Sequence, residues 1–458
     1  MKKTGIIVFV FLTSLSIYAQ DISGKWNGIL KIQGTSLRLV FNISKPDSTY
    51  NATMDSPHQG AYGLPVTSIS YSNATLVIEL AYAGIKFQGT LNNVQAFVGT
   101  FTQAGQSFPL ILNKGEVEKE NRVRPQEPTE PYPYYSEEVE FENVKADIDL
   151  AATLTLPTKQ GKFPAVILIS GSGPQNRDEE LFGHKPFLVL ADFLTRNGVA
   201  VLRFDDRGIG KSTGDFNKAT TYDFAQDVEY AIEYLQNRQE INKDKIGLIG
   251  HSEGGIIASM IASENKNIDF IVLMAGPALR GDKLLLLQKY KMEMQRGIDK
   301  QLIDFNQQIF AGAYAIILNE RLNSVLISDS LSKYFTSKYG QALPENQKLA
   351  LVKQLSSPWM IDFIRLDPAD CLSKINCPVL ALNGSKDIQV PAEENLARFN
   401  EILNNSNADI KELPNLNHLF QECESGAASE YATIEQTISP TALQTILNWI
   451  NKQVNESE

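Results

Sequence analysis

Lys245-Ile246-Gly247-Leu248-Ile249-Gly250-His251-Ser252-Glu253-Gly254-Gly255 is the stretch that decides how this chain reads. Its first half is a continuous apolar run of strand length with no polar face, as expected of a strand buried on both sides of a parallel sheet. Residues 255–262 then read as a helix. A bare G-x-S-x-G string is a weak signal. Between a buried strand and a helix it predicts a sharp turn at Ser252. Such a turn strains the serine backbone, and the flanking glycines let neighbouring backbone pass without Cβ clashes. The hydroxyl then projects above the sheet edge, beside the positive end of a helix.

The same rhythm repeats outward. Residues 164–170, 199–204, 268–274 and 377–383 are apolar runs of strand length, and helical stretches such as 222–236 lie between them. This predicts an α/β class domain over 135–458, with a mostly parallel sheet covered by helices on both faces. Residues 277–367 break the rhythm. They are strand-poor, with Leu284-Leu285-Leu286-Leu287 and a helical run over 292–309, and read as a helical cap inserted over the sheet edge. Its apolar side chains default to the cap's own core. Trp359 and Phe363, at its end, are candidates for a pocket wall.

Toward the N-terminus the pattern differs. Residues 20–115 alternate apolar and polar side chains between Gly, Asn and Asp punctuation, which predicts a small all-β domain, a sandwich or a small barrel. Residues 116–134 carry charges and Pro125, Pro128, Pro131 and Pro133, and read as a semi-rigid linker. Residues 1–19 have Lys2 and Lys3 before a short apolar run and end at Ala19, the pattern of a cleaved secretory signal peptide. The expected location is therefore periplasmic or extracellular.

A serine hydroxyl needs a base to attack at neutral pH. There are 4 histidines, His58, His184, His251 and His418. His58 falls in the β-rich segment and His184 precedes a helix. His251 occupies the variable position beside Ser252, where its backbone turns it away from the hydroxyl. His418, in Pro414-Asn415-Leu416-Asn417-His418 after the last expected strand, is left as the base. Asp387, in Asn383-Gly384-Ser385-Lys386-Asp387, follows a strand between the two and is the candidate orienting carboxylate. Two backbone N–H groups are needed for a developing oxyanion. Glu253 supplies one. The loop Ser170-Gly171-Ser172-Gly173-Pro174 supplies the other, from Ser172 with Gly173 as second choice. No Gly-Lys-Ser/Thr closes that loop, so it is not a Walker phosphate cradle.

With these residues in view, 136–452 resembles the α/β-hydrolase superfamily, and most closely secreted bacterial carboxylesterases with an N-terminal β domain, near the dienelactone-hydrolase and serine-aminopeptidase branches. Gly171-Ser172-Gly173-Pro174, Asp206-Arg207-Gly208-Ile209-Gly210-Lys211-Ser212, the elbow at Ser252, Asp387 and Asn417-His418 carry the resemblance. The chain order Ser252, Asp387, His418 is that superfamily's order. The resemblance implies a structural role for the Asp-Arg-Gly loop, so Asp205, Asp206 and Arg207 receive no catalytic role. One departure stands out: many relatives have His-Gly where this chain has Ser170-Gly171.

Composition narrows the classes. Lys and Arg number 42 against 53 Asp and Glu, a net charge of −11, which argues against nucleic-acid binding. No segment past the first twenty residues is apolar enough to span a bilayer. The 3 cysteines match no zinc spacing, and nothing in the sequence calls for a metal or cofactor. Cys371 and Cys377 stand as a conceivable disulfide or as buried thiols. The expected partner is a small-molecule ester cleaved through an acyl-enzyme intermediate. Peptide, amide or thioester cleavage by the same trio is the rival within enzymes, and an envelope glycan-binding protein with an inert hydrolase fold is the rival outside them. No residue pattern sets an oligomeric state.

Overall fold

The computed structural model describes residues 21–32, 35–46, 49–56, 61–92, 94–103, 106–115, 124–319, 321–340, 343–403 and 407–455. The expected signal peptide and His58 lie outside them. The chain divides into two units, Met1–Pro57 with Ala61–Glu118, and His58–Gly60 with Lys119–Glu458.

In the first unit, β1 (Gly24–Ile32), β2 (Thr35–Ser44), β3 (Asn51–Ser56), β4 (Ala61–Pro65), β5 (Ser68–Ser72), β6 (Thr75–Leu80), β7 (Ile85–Leu91), β8 (Ala96–Gln103) and β9 (Gln106–Lys114) form one sheet. Its order is β4-β3-β2-β1-β9-β8-β7-β6-β5, and the paired strands run antiparallel. Alternation puts Leu76, Ile78 and Leu80 of β6 inside, with Phe87, Phe97 and Trp26 from other strands. All nine strands feed one apolar cluster. The sheet is therefore curled around a single buried face in the manner of a half-barrel, rather than paired with a second sheet as in a sandwich.

The second unit opens with a hairpin, β10 (Tyr135–Asn143) and β11 (Ile148–Leu156), and continues with β12 (Phe163–Ile169), α1 (Pro186–Arg196), β13 (Ala200–Phe204), α2 (Thr221–Gln236), β14 (Ile241–His251), α3 (Glu253–Glu264) and β15 (Phe270–Met274). Five helices interrupt the sheet: α4 (Gly281–Gln295), α5 (Lys300–Ile317), α6 (Ser324–Tyr339), α7 (Glu345–Leu355) and α8 (Pro358–Arg365). After α9 (Ala369–Leu372) come β16 (Val379–Gly384), α10 (Ala392–Ile402), β17 (Ala408–Leu413), α11 (Ala428–Tyr431) and α12 (Pro440–Asn455). The sheet order is β10-β11-β13-β12-β14-β15-β16-β17, parallel from β13 to β17. Ala165, Ile167 and Ile169 of β12 pack with α2, α3 and α10, while Val166 and Leu168 face α1 and α12. That two-sided burial is why the run carries no polar residue.

Two expectations need correction. The helical run over 292–309 is two helices, because α4 ends at Gln295 and Gly297 turns the chain at φ 69 before α5. The described part of the linker, 124–134, does not hang free. Arg124 donates to the Gly183, Phe182, Ala432 and Ile434 carbonyls, and Gln126 binds the backbone at Thr437 and Ile438. Polar bonds to main chain anchor a segment too poor in apolar residues to pack. Ile167, fully buried on the central strand β12, tests the core: Ile167→Ala is expected to cost about 2–5 kcal/mol, read as a lower urea midpoint for the second unit.

Candidate active site

Ser252 sits between β14 and α3 at φ 52 and ψ −121, a left-handed conformation that a serine rarely adopts. Two backbone bonds hold it, from the Ser252 N–H to the Met274 carbonyl (2.8 Å) and from the Gly255 N–H to the Ser252 carbonyl (2.9 Å). The glycines are steric necessities. A Cβ on Gly250 would overlap the Gly254 carbonyl, and one on Gly254 would overlap the carbonyl oxygen of Ile169.

Asp387 follows β16 and is buried. Its Oδ1 accepts the N–H groups of Gln389 (2.8 Å) and Val390 (2.9 Å), which fixes the carboxylate in its own turn. Its Oδ2 meets His418 Nδ1 at 2.7 Å and Asn383 Nδ2 at 3.3 Å. His418 follows β17 in a loop tied by Asn417, whose Oδ1 accepts from the Leu419 and Gln421 N–H groups. Ser252 and His418 line one cavity of about 260 Å³, walled by Leu284, Leu285, Trp359, Phe363 and Val390. Among the described residues Ser252 Oγ has no hydrogen-bond partner; apo sites commonly hold this contact open until substrate binds. The cap thus reaches the site as well as holding a core of its own around Tyr314, Leu331 and Phe335.

The loop after β12 lies on buried carboxyls. Ser170 Oγ donates to Asp206 (2.9 Å), the Gly171 N–H to Glu179 (2.8 Å), Ser172 Oγ to Glu253 (2.7 Å) and the Gln175 N–H to Asp206 (2.9 Å). Ser170 therefore has a defined anchor. The Ser172 and Glu253 N–H groups meet no acceptor among the described residues. Burial pushes Asp206 well above the usual carboxylate range and raises Glu253 too, although Thr221 Oγ1 (2.6 Å) and Trp359 Nε1 (2.8 Å) also donate to it.

Sequence reasoning missed three features here. The Glu253 side chain ties loop, elbow and cap, beyond the N–H expected of it. Glu179 pairs with His251, Oε1 to Nδ1 at 2.8 Å. The other His251 nitrogen, Nε2, lies 3.0 Å from the His418 carbonyl, so both ring nitrogens bond groups other than Ser252 Oγ. His184 is structural, bonded to Thr437 Oγ1 and the Tyr431 carbonyl. Asp205 holds Arg177, and Arg207 holds Asp227. Cys371 and Cys377 are not joined; all 3 cysteines are free, and burial pushes the Cys377 thiol up to about 12. Among the described residues there is no cluster of metal-ligating side chains and no helix long and apolar enough to cross a membrane.

Strand order, the helical layers and the elbow place the second unit in the α/β-hydrolase superfamily. The family described as serine aminopeptidase, S33, matches residues 185–424, just over half of the chain. The protein belongs to that family. Esterase EstD of Thermotoga maritima is 25% identical over 289 residues, 63% of this chain and 62% of that protein. The chain thus spans less than two thirds of EstD's length. An uncharacterized 31.7 kDa protein from the traX-finO intergenic region of Escherichia coli is 24% identical over 264 residues, 55% of this chain and 82% of that one. Among solved structures, the alpha/beta hydrolase GrgF from Penicillium sp. sh18 aligns with a TM-score of 0.45 and 15% identity, over 70% of this chain and 99% of that one.

Gly254→Ala tests the elbow's steric argument. Adding one methyl against the Ile169 carbonyl is expected to destabilise the second unit by about 1–3 kcal/mol, measured as a shift in thermal midpoint; an unchanged midpoint contradicts it.

Proposed function

We propose that this protein is an exported serine hydrolase that cleaves carboxylic esters through an acyl-enzyme intermediate. One observation carries the reading: a strained serine elbow and a buried Asp387–His418 pair, with Ser252 and His418 on the wall of one small cavity. The name of EstD supports the ester class. The export claim rests on residues 1–19 alone.

In this mechanism Ser252 Oγ attacks the ester carbonyl while His418 Nε2 takes its proton. Asp387 fixes the imidazole with its proton on Nδ1 and stabilises the imidazolium that forms. The Ser172 and Glu253 N–H groups receive the oxyanion. Collapse breaks the C–O bond, His418 returns its proton to the leaving alcohol, and water repeats the two steps on the acyl-serine. A cavity of about 260 Å³ suits a small or medium acyl group.

The family's description favours a second reading, removal of an N-terminal residue from a peptide by the same three residues. Matched turnover of p-nitrophenyl acetate and of aminoacyl p-nitroanilides separates the two, and the ester is expected to be the better substrate by kcat/KM. Ser252→Ala is expected to abolish ester turnover with an unchanged melting temperature. Asp387→Asn is expected to lower kcat by about 10⁴-fold, because the imidazole is then held in the wrong tautomer. Full activity in either variant contradicts the assignment.

A further inference from the structure

Glu179 and His251 form a buried hydrogen-bonded pair that the proposed chemistry does not use. They are 2% and 5% exposed, so water reaches neither freely. Their proton count follows from the partners. His251 Nε2 faces a main-chain carbonyl, which only accepts, so that nitrogen carries a proton. Nδ1 faces Glu179 Oε1, an oxygen that also accepts the Gly171 N–H. That geometry suits a ring that donates from both nitrogens, an imidazolium bonded at both ends by charge-assisted contacts. Glu179 itself sits at φ 50, a left-handed backbone that a long side chain seldom takes and that persists only where the surroundings enforce it.

We propose that the Glu179–His251 pair is a positioning device for the hydrolytic site, in which the doubly donating His251 ring ties the main chain of the base loop at His418 to the elbow and, through Glu179, to Gly171 of the oxyanion loop. The proposal rests on the reading of Ser252 and His418 as nucleophile and base. Neither member of the pair needs to touch the ester; both act through groups that do. The two imidazole rings lie 4.8 Å apart between centroids, so a positive His251 opposes a second charge on His418, and the Glu179 carboxylate offsets that repulsion. The charged groups facing His251 are Glu179 from the loop after β12, Asp387 from the loop after β16 and His418 from the loop after β17. Asp206 lies close enough to interact with Glu179.

Burial depresses the His251 pKa, but the Glu179 carboxylate, together with the His418 carbonyl and Asp387, more than offsets it, and the net direction is upward. A raised histidine keeps its proton at low pH and loses it as pH rises through the raised value. Above that value Nε2 or Nδ1 faces an acceptor without a proton, and the tie to the base loop or to Glu179 opens. Ester turnover by the full-length protein therefore has an alkaline limb set by His251.

The test is the pH profile of kcat for p-nitrophenyl acetate in the wild type, His251→Gln and Glu179→Gln. Glutamine at 251 keeps a donor toward the His418 carbonyl that does not titrate. It is expected to lower kcat by about tenfold to a hundredfold through misplacement and to erase the alkaline limb. Glu179→Gln removes the charge that holds the proton and is expected to move that limb down by about 1–3 pH units. Should His251→Gln fail to fold, the Glu179→Gln shift decides alone. Wild-type 15N spectra of the histidine rings give a check free of any variant, with His251 protonated on both nitrogens at neutral pH. A neutral His251 ring, or an alkaline limb that stays in place in both variants, overturns the proposal. Ser252→Ala is assayed alongside: turnover that survives it overturns the hydrolase reading and this role together. An inactive Ser252→Ala with an unmoved limb overturns the role of the pair alone.

Discussion

A serine held at φ 52 is the constraint around which the second unit is organised. Left to itself, such a residue relaxes into an ordinary helical or extended conformation, at a gain of about 1–3 kcal/mol. It stays because β14 is fixed between β12 and β15 before the turn and α3 is buried behind it. Gly250 and Gly254 lack a Cβ at the points where backbone carbonyls fill the space a side chain would need. Removing the strain means moving a strand or a helix from the core, which costs more than the strain itself.

The neighbouring pieces follow from the same geometry. Parallel strands β14, β16 and β17 end on one edge, so loops after each bring Ser252, Asp387 and His418 together from positions far apart in the chain. The loop after β12 arrives at that edge too, and buried carboxyls of Asp206, Glu179 and Glu253 take its donors. Backbone N–H groups stabilise an oxyanion only when aimed beforehand. Anchoring the loop at successive residues is what such aim requires. Trp359 extends the tie to the cap through Glu253.

Much of this was legible in the sequence because its causes are local. An apolar run of strand length, a glycine-flanked serine and a helix are adjacent in the chain, and their sterics are decided within about a dozen residues. His418 and Asp387 were reachable by elimination, since few histidines compete and each candidate follows a strand. Glu179 was not legible. It sits in Arg177-Asp178-Glu179-Glu180, a string that looks like solvated loop, and its meaning appears only when the loop folds onto β14, many residues away. His251 was hidden for a related reason: an expected orientation away from Ser252 suggested no role, whereas its Nε2 meets the His418 carbonyl. The break at Gly297 was masked by apolar residues that continue a helical pattern across it, and the hold on 124–134 comes from polar bonds to distant main chain, which composition does not register.

The most direct measurement of the central claim is covalent trapping. A fluorophosphonate added to the full-length protein, followed by peptide mass spectrometry, is predicted to place a single adduct on Ser252, and to place none when His418 is replaced by alanine. An unlabelled Ser252 in folded wild-type protein, or equal labelling with and without the His418 imidazole, contradicts the account.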